Sequence, residues 1–497
     1  MRKLLNLIIP FTLIAVAGCG GGKKETKAAG EGSLTIMCGA GIRAAMEPVC
    51  KAFEDETGSS VRVIYAGSGT LLGQLSTGTE ADLFLPGDVQ WVNTAREKEL
   101  VGEQVVVAWF VPVIAVPKDN PANIETLKDL ARDDVKVGLG KPDACAIGGV
   151  SRDVLAAAGL KGKVTPEFEA LTVNQLADQV KLDALDAAII WDATAVQYTD
   201  AIKSIQLEDP LFHAVPLALA LVKDSKKHDL ARSFMAFAAG ETGAELFRKH
   251  NYRVPGNQLR IGCGGSMRPP VDELAKMFEE QTGCKTLRNY GGSGTVLLQI
   301  QESGDGDVYI CHDPFAYTCE DKGLSANWYT MAVIEPTLAV QKGNPKNVQG
   351  LKDLLRKDVK VGLSHREYSM RGKIIWAIME EHGMADAMRK RAIFEERTHT
   401  LVNQLKLGAV DVATLWDAPA KAMEEIEAIP IEKKYRIDAV TSATSNKTYD
   451  PQRVKVTVVR LTLADEPLLA AQFAKFCLSD TARHILKKHR FALPDEE

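Results

Sequence analysis

The chain is written twice. "LTIMCGAGIRAAMEPVCKAFEDETG" from Leu34 returns as "LRIGCGGSMRPPVDELAKMFEEQTG" from Leu259, and "ADLFLPGD" returns as "GDVYICHD". "YAGSGT", Tyr65 to Thr70, recurs as "YGGSGT", Tyr290 to Thr295, an offset of 293 − 68 = 225 positions. Ser68 to Trp191 (191 − 68) and Ser293 to Trp416 (416 − 293) both span 123 positions. Repeats of roughly 20–50 residues stack into solenoids. A repeat of 225 is domain-sized, so the 497 residues must build two copies of one architecture. We read residues 33–257 as unit one and 258–497 as unit two, with an insertion at about 433–452 that unit one lacks.

Within a unit, strand and helix patterns alternate. "LTIMC" is a short apolar run. Ile42, Met46, Val49 and Phe53 then recur at helical spacing, with Gly58 as the stop. Met267, Val271, Leu274 and Phe278 repeat that stripe before Gly283. "VRVIYAG" reads as the next strand and "TLLGQL" as the next helix. The fold class is α/β with a mostly parallel sheet, and such sheets bind ligands where strands end and helices begin. The apolar "VVVAWFVPVIAVP", interrupted by Pro112, reads as buried strand.

Ser68 falls at such a junction. A helix N-terminus offers unpaired N–H groups and the positive end of a dipole, glycine permits close backbone approach, and serine adds a hydroxyl. Together these suit an anion that can only accept hydrogen bonds. Ser68 as a mere helix cap is the simpler alternative. The recurrence at Ser293 favours the anion reading. "CGAGI" and "CGGSM" place Gly41 and Ser266 at a second junction. "GKPDACAIGG" opposite "SHREYSMRGK" forms a third, "VNQL" opens a fourth helix, and "WDA" closes a strand in each unit.

In order and spacing, these motifs make each unit resemble the periplasmic molybdate-binding protein family, the class II substrate-binding components of ABC importers. The resemblance implies two α/β lobes per unit, joined by a two-strand hinge and closing on a small oxyanion. It implies that the lobes meet near "VPVIAVPK" and "HAVPLALALV", and near "EPTLAVQK" and "VKVTVVRLTL" in unit two. The family's first-turn serine falls on Gly41 and Ser266, and its second serine on Ser68 and Ser293. Its backbone donors fall on Ile147 and Val173 in unit one, and on Arg371 and Val402 in unit two. Its pocket-closing tyrosine falls on Trp191 and Trp416. An indole N–H donates but cannot accept. Unit one thus lacks one hydroxyl, whereas unit two gains a charged donor if Arg371 faces the cleft rather than solvent. The expectation is a stronger oxyanion site in unit two. Arg43 and Arg268 share a first-turn position and are read as exposed. Cys263, Cys311 and His312 cluster at strand ends and are read as buried small residues before a soft-metal site.

The N-terminus "MRKLLNLIIPFTLIAVAGCGGG" has a basic start, an apolar run too short to span a bilayer, and "VAGC", which resembles a bacterial lipobox. Residues 1–19 are read as a lipoprotein signal peptide with Cys19 as the lipidated residue, and 20–32 as a flexible tether. The expected location is periplasmic or extracytoplasmic, on a lipid anchor, with an ABC permease and ATPase as partners. A net charge of −5 without a basic face argues against nucleic acid. Nucleophile–base pairs, HExxH and phosphate-loop signatures are missing, so neither catalysis nor a cofactor or metal is expected. In the insertion, "TSATS" resembles a covalent-flavin motif with Ser442 for its glycine and Thr444 as acceptor, but no flavin-binding domain accompanies it and a polar loop is expected. The rival readings are a membrane-anchored sensor or scaffold, and a binder of a sulfonate, phosphonate or small organic acid.

Overall fold

The computed structural model describes residues 32–366, 369–395, 398–441 and 447–496. Cys19, the tether up to residue 31, Ser442 and Thr444 lie outside the described residues. Unit one contains strands β1 (Ser33–Gly39), β2 (Ser60–Ala66), β3 (Leu83–Leu85), β4 (Val101–Phe110), β5 (Pro112–Pro117), β6 (Val137–Gly140), β7 (Phe168–Ala170), β8 (Ala187–Trp191), β9 (Ile202–Gln206) and β10 (Val215–Val222). They form two five-stranded sheets, ordered β2-β1-β3-β10-β4 and β7-β6-β8-β5-β9. In each sheet one strand runs against the others: β10 is antiparallel to β3 and β4, and β5 to β8 and β9.

Unit two repeats this with β11 (Gln258–Gly264), β12 (Lys285–Gly291), β13 (Val308–His312), β14 (Ser325–Ile334), β15 (Pro336–Gln341), β16 (Val361–Ser364), β17 (Ile393–Glu395), β18 (Val412–Trp416) and β19 (Ile426–Pro430). A small hairpin of β20 (Val440–Thr441) and β21 (Thr448–Tyr449) precedes β22 (Val454–Leu461). The sheet orders are β12-β11-β13-β22-β14 and β17-β16-β18-β15-β19, the same as in unit one.

Each sheet is the floor of a lobe, and the helical stripes cover it. Ile42, Met46, Val49 and Phe53 are buried in unit one, and Met267, Val271, Leu274 and Phe278 in unit two. Both first helices end at a left-handed glycine, Gly58 (φ 73°) and Gly283 (φ 74°), a conformation that disfavours other residues. The apolar run around Pro112 is two strands rather than one. Its break at Val111 carries the chain from one lobe to the other, and the return lies between Gln206 and Val215. The crossings lead into β5 and β10, and in unit two into β15 and β22, as the resemblance implies. The second crossing of unit two holds the insertion.

The carboxylates of the two "WDA" motifs pin the first crossing. Asp192 Oδ1 accepts the N–H groups of Val111 (3.3 Å) and Ala193 (2.8 Å), and Oδ2 meets Arg253 Nε at 3.1 Å. Asp417 Oδ1 accepts Glu335 N–H at 3.0 Å, with Lys421 Nζ on Oδ2 at 2.8 Å.

Unit two docks on the second crossing of unit one. There a short helical turn, Pro210–His213, follows Asp209. Gln472 donates to the Leu211 carbonyl at 2.6 Å, Phe212 stacks on Tyr329 at 4.9 Å, and Asp209 accepts from Tyr329 Oη and pairs with Arg460. Trp109, Val111, Ala214 and Leu468 form an apolar cluster beside them. Arg460 and Asp209 are both largely buried, so removing one partner strands a charge. Asp209→Ala should therefore destabilise the full chain by about 3 kcal/mol, read as a fall in the urea midpoint. A loss under about 1 kcal/mol would place the pair in solvent instead.

Candidate ligand-binding clefts

In unit one, three helix N-termini converge between the lobes. Helix Ser68–Ser76 comes from the first lobe, and helices Ala146–Ala157 and Val173–Lys181 from the second. With the turn Ala40–Ile42 they line a small cleft open to solvent on one side. Its lining includes Gly41, Ser68, Gly87, Phe110, Val173 and Trp191, and among the described residues no charged one contributes. The first N–H groups of a helix have no acceptor within it, so this wall presents hydrogen-bond donors and positive dipole ends.

Ser68 does not cap its helix. The N-cap is Gly67, and Ser68 Oγ instead accepts the Gly87 N–H at 3.0 Å. With an acceptor site of its oxygen spent on the backbone, the hydroxyl proton is left to point elsewhere. The glycines around it have a separate reason. A Cβ at Gly69 would lie 2.0 Å from the Asp143 carbonyl oxygen, and one at Gly67 would lie 2.3 Å from that of Leu171. Both carbonyls belong to the opposite lobe. Gly69 N–H donates to the Ala144 carbonyl at 3.0 Å, so the lobes of unit one touch backbone to backbone.

The missing hydroxyl at Gly41 is also a matter of space. A Cβ there would sit 2.8 Å from Val173 Cγ1 and 3.6 Å from Phe110 and Trp191. Trp191 stacks on Phe110 at 4.7 Å with planes 4° apart, and Tyr252 donates to the Gly41 carbonyl at 2.6 Å. Gly41, Ser68, Val173 and Trp191 are thus brought together. Ile147 is the second residue of its helix, fully buried, and not itself in the lining, where Cys145 and Ala146 stand. Phe110 and Gly87 had no sequence signal of their own, because one sits in an apolar run and the other beyond a strand end.

Unit two is built differently. Ser266 and Ser293 are brought together around His312: Ser266 Oγ lies 2.9 Å from Nε2, and Ser293 Oγ 2.9 Å from Nδ1. His312 stands where unit one has Gly87, and its ring stacks on Trp416 at 5.3 Å across the lobes. Arg371, offered as either a cleft or a surface residue, is 2% exposed. Nε donates to Ser364 Oγ at 2.8 Å, and Nη1 reaches Thr398 Oγ1 at 3.4 Å. Burial and the nearby Arg371 cation pull the His312 pKa down to about 4, so the imidazole is neutral at pH 7. Val402, expected as a helix-initial donor, lies inside a described helix. Helix Thr398–Lys406 begins a turn earlier than the Val173 helix, so the Val402 N–H falls at the fifth position and bonds within the helix.

Arg43 and Arg268 are exposed and lie over Tyr65 (4.2 Å) and Tyr290 (5.2 Å). The eight described cysteines are free and buried. Among the described residues no group of three or more His, Cys, Asp or Glu could hold a metal, and His312 faces serines rather than thiols. No described helix is long and apolar enough to cross a membrane.

The family model described as bacterial extracellular solute-binding protein matches residues 34–253 and again 259–492. The chain belongs to that family. Family membership fixes its fold as two tandem class II binding-protein units and its general role as binding a solute outside the cytoplasm. Among relatives, the molybdate-binding protein ModA of Escherichia coli is 24% identical over 264 residues, covering 51% of this chain and 99% of the relative. ModA of Mycobacterium tuberculosis is 24% identical over 256 residues, covering 50% and 97%. Among solved structures, the Azotobacter vinelandii periplasmic molybdate-binding protein covers 45% of the chain and all of itself at 17% identity, TM-score 0.39. The sulfate-binding protein SubI of Mycobacterium tuberculosis covers 45% of this chain and 87% of itself at 17% identity, TM-score 0.41.

The backbone contact at Gly69 yields a prediction. Gly69→Ala suits the helix but not the closed lobes. The urea midpoint should stay within about 1 kcal/mol of the parent. Amide exchange across 67–71 and 143–147 should rise at least about tenfold as the lobes part.

Proposed function

We propose that this chain is a solute-binding lipoprotein that captures a small oxyanion of the molybdate or tungstate kind and hands it to an ABC permease with its ATPase. One observation carries the reading: three helix N-termini and a serine hydroxyl surround the unit-one cleft with no charged side chain among the described residues that line it. A dianion that accepts hydrogen bonds but donates none matches such a wall. The names of the ModA relatives point the same way.

Mechanistically this is capture rather than turnover. Ser68 O–H and the N–H groups at Gly41 and Val173 replace the ion's water, and Trp191 closes the pocket with its indole edge; Ile147, behind Cys145 and Ala146, holds the N-terminus of its helix at the cleft. Lobe closure would seal it, and the Gly69–Ala144 contact supports that reading. Cys19 would tether the protein to the periplasmic or extracytoplasmic face of a membrane, in line with the order of basic start, apolar run and "VAGC".

The rival with an observation behind it is a sensor or scaffold, since unit two packs on the hinge of unit one and would register its closure. Calorimetric titration of the full chain with molybdate, tungstate and sulfate decides. Transport of an oxyanion requires binding, and no heat with any of them sinks the reading. Ser68→Ala should weaken the unit-one site about 10–100-fold, the worth of a hydrogen bond to a charged partner. Because its donors are neutral, that site should keep one affinity between about pH 6 and about pH 8.

A further inference from the structure

Two glycines that line the unit-one cleft, and a third at the end of β6, have side chains in unit two. Gly41 corresponds to Ser266, Gly87 to His312 and Gly140 to Ser364, while Ile147 corresponds to Arg371. The replacements form two polar groups, one around His312 and one around Arg371. His312 holds Ser266 and Ser293 through its two ring nitrogens, and Ser364 holds Arg371. The two groups belong to opposite lobes, Arg371 and Trp416 to one and His312 and both serines to the other, and the His312 ring meets Trp416 across the gap.

Two features are unfinished. Arg371 is buried, yet among the described residues its partners are hydroxyls, with no carboxylate in ion-pair range. Hydroxyl oxygens do not neutralise a guanidinium, and burying a charge whose described partners are all neutral is costly. The imidazole, for its part, sets the direction of the serine protons. A neutral ring has one N–H and one acceptor nitrogen, so one serine must spend its proton on His312. A protonated ring donates to both, and both hydroxyl protons are then free to face a ligand.

We propose that the unit-two cleft is a proton-coupled site for a tetrahedral oxodianion, in which Arg371 supplies the charge and protonation of His312 releases the hydroxyls of Ser266 and Ser293 to the ligand. It rests on the oxyanion reading of the fold but adds a different chemistry to the second copy. The groups that face His312 are Arg371 from helix Met370–Glu381, Ser266 and Ser293 from two helical turns, and Trp416 from β18. On its own strand, Asp313 turns to the Lys455 N–H at 3.1 Å, and the Cys311 thiol meets Thr457.

The sign follows. Without an anion, Arg371 and burial keep His312 neutral down to about pH 4. A bound dianion offsets Arg371 and favours the imidazolium, so the His312 pKa rises and binding takes up a proton. Affinity therefore grows as pH falls from neutrality and is lost as pH rises through the bound-state pKa.

Sulfate is the probe, because it stays a dianion throughout. Titration of the full chain between about pH 5 and about pH 8 should show a site that tightens by up to about tenfold per unit of falling pH, with uptake of one proton read from buffers of different ionisation heat. His312→Asn should leave a site whose affinity no longer depends on pH. Arg371→Gln should abolish the site while leaving the Ser68-dependent one. Its anion-free melting midpoint should not fall, because a buried charge whose described partners are neutral hydroxyls has been removed. A lowered midpoint would make Arg371 a structural group and overturn the proposal. So would a site indifferent to pH, or one that survives Arg371→Gln. A single pH-independent site sensitive to Ser68→Ala defeats this inference alone; no binding of any oxyanion defeats the oxyanion reading as well.

Discussion

The architecture depends on bringing helix N-termini from two lobes to one point. Each N-terminus carries unspent N–H groups and a partial positive charge, and the termini repel one another unless an anion or solvent lies between them. The two crossings per unit hold this geometry. Asp192 and Asp417 tie the first crossing through backbone N–H groups, so the lobes share a fixed axis. What remains adjustable is the cleft itself, and there the two copies diverge.

In unit one the cleft is emptied by glycine. Gly41 leaves room for Val173 and for the stacked pair of Phe110 and Trp191, and Gly87 gives its N–H to Ser68. In unit two the same positions are filled. His312 takes over the stacking role of Phe110 against Trp416 and the hydrogen bond of Gly87 to the serine. One imidazole does two jobs that two residues share in unit one, and it brings a titratable proton with it.

Much of this was legible in the chain. The repeat gave the two units, the apolar stripes gave the first helices, and the strand–helix junctions gave Ser68 and Ser293. Backbone pattern is local, so local letters report it. The unread parts depend on where side chains point. Gly41 looked like a lost hydroxyl because the sequence does not show Val173 leaning over it. Arg371 could have faced either way until burial placed it. Cys263, Cys311 and His312 read as buried residues before a soft-metal site, but the pairing of His312 with two serines was not legible, because it depends on which side of the strand the ring faces. Val402 was read by alignment with Val173, and a helix that begins one turn early places it inside rather than at the start.

The glycines of "AGSGT" carry a last consequence. At Gly67 and Gly69 a side chain collides only with main-chain atoms of the other lobe. An open molecule tolerates many residues there; the shut one tolerates a hydrogen atom. Those two letters therefore record the gap between bodies that are far apart in sequence. Screens that weigh folding alone would pass over them, and only a measurement on the shut form would see why they are kept small.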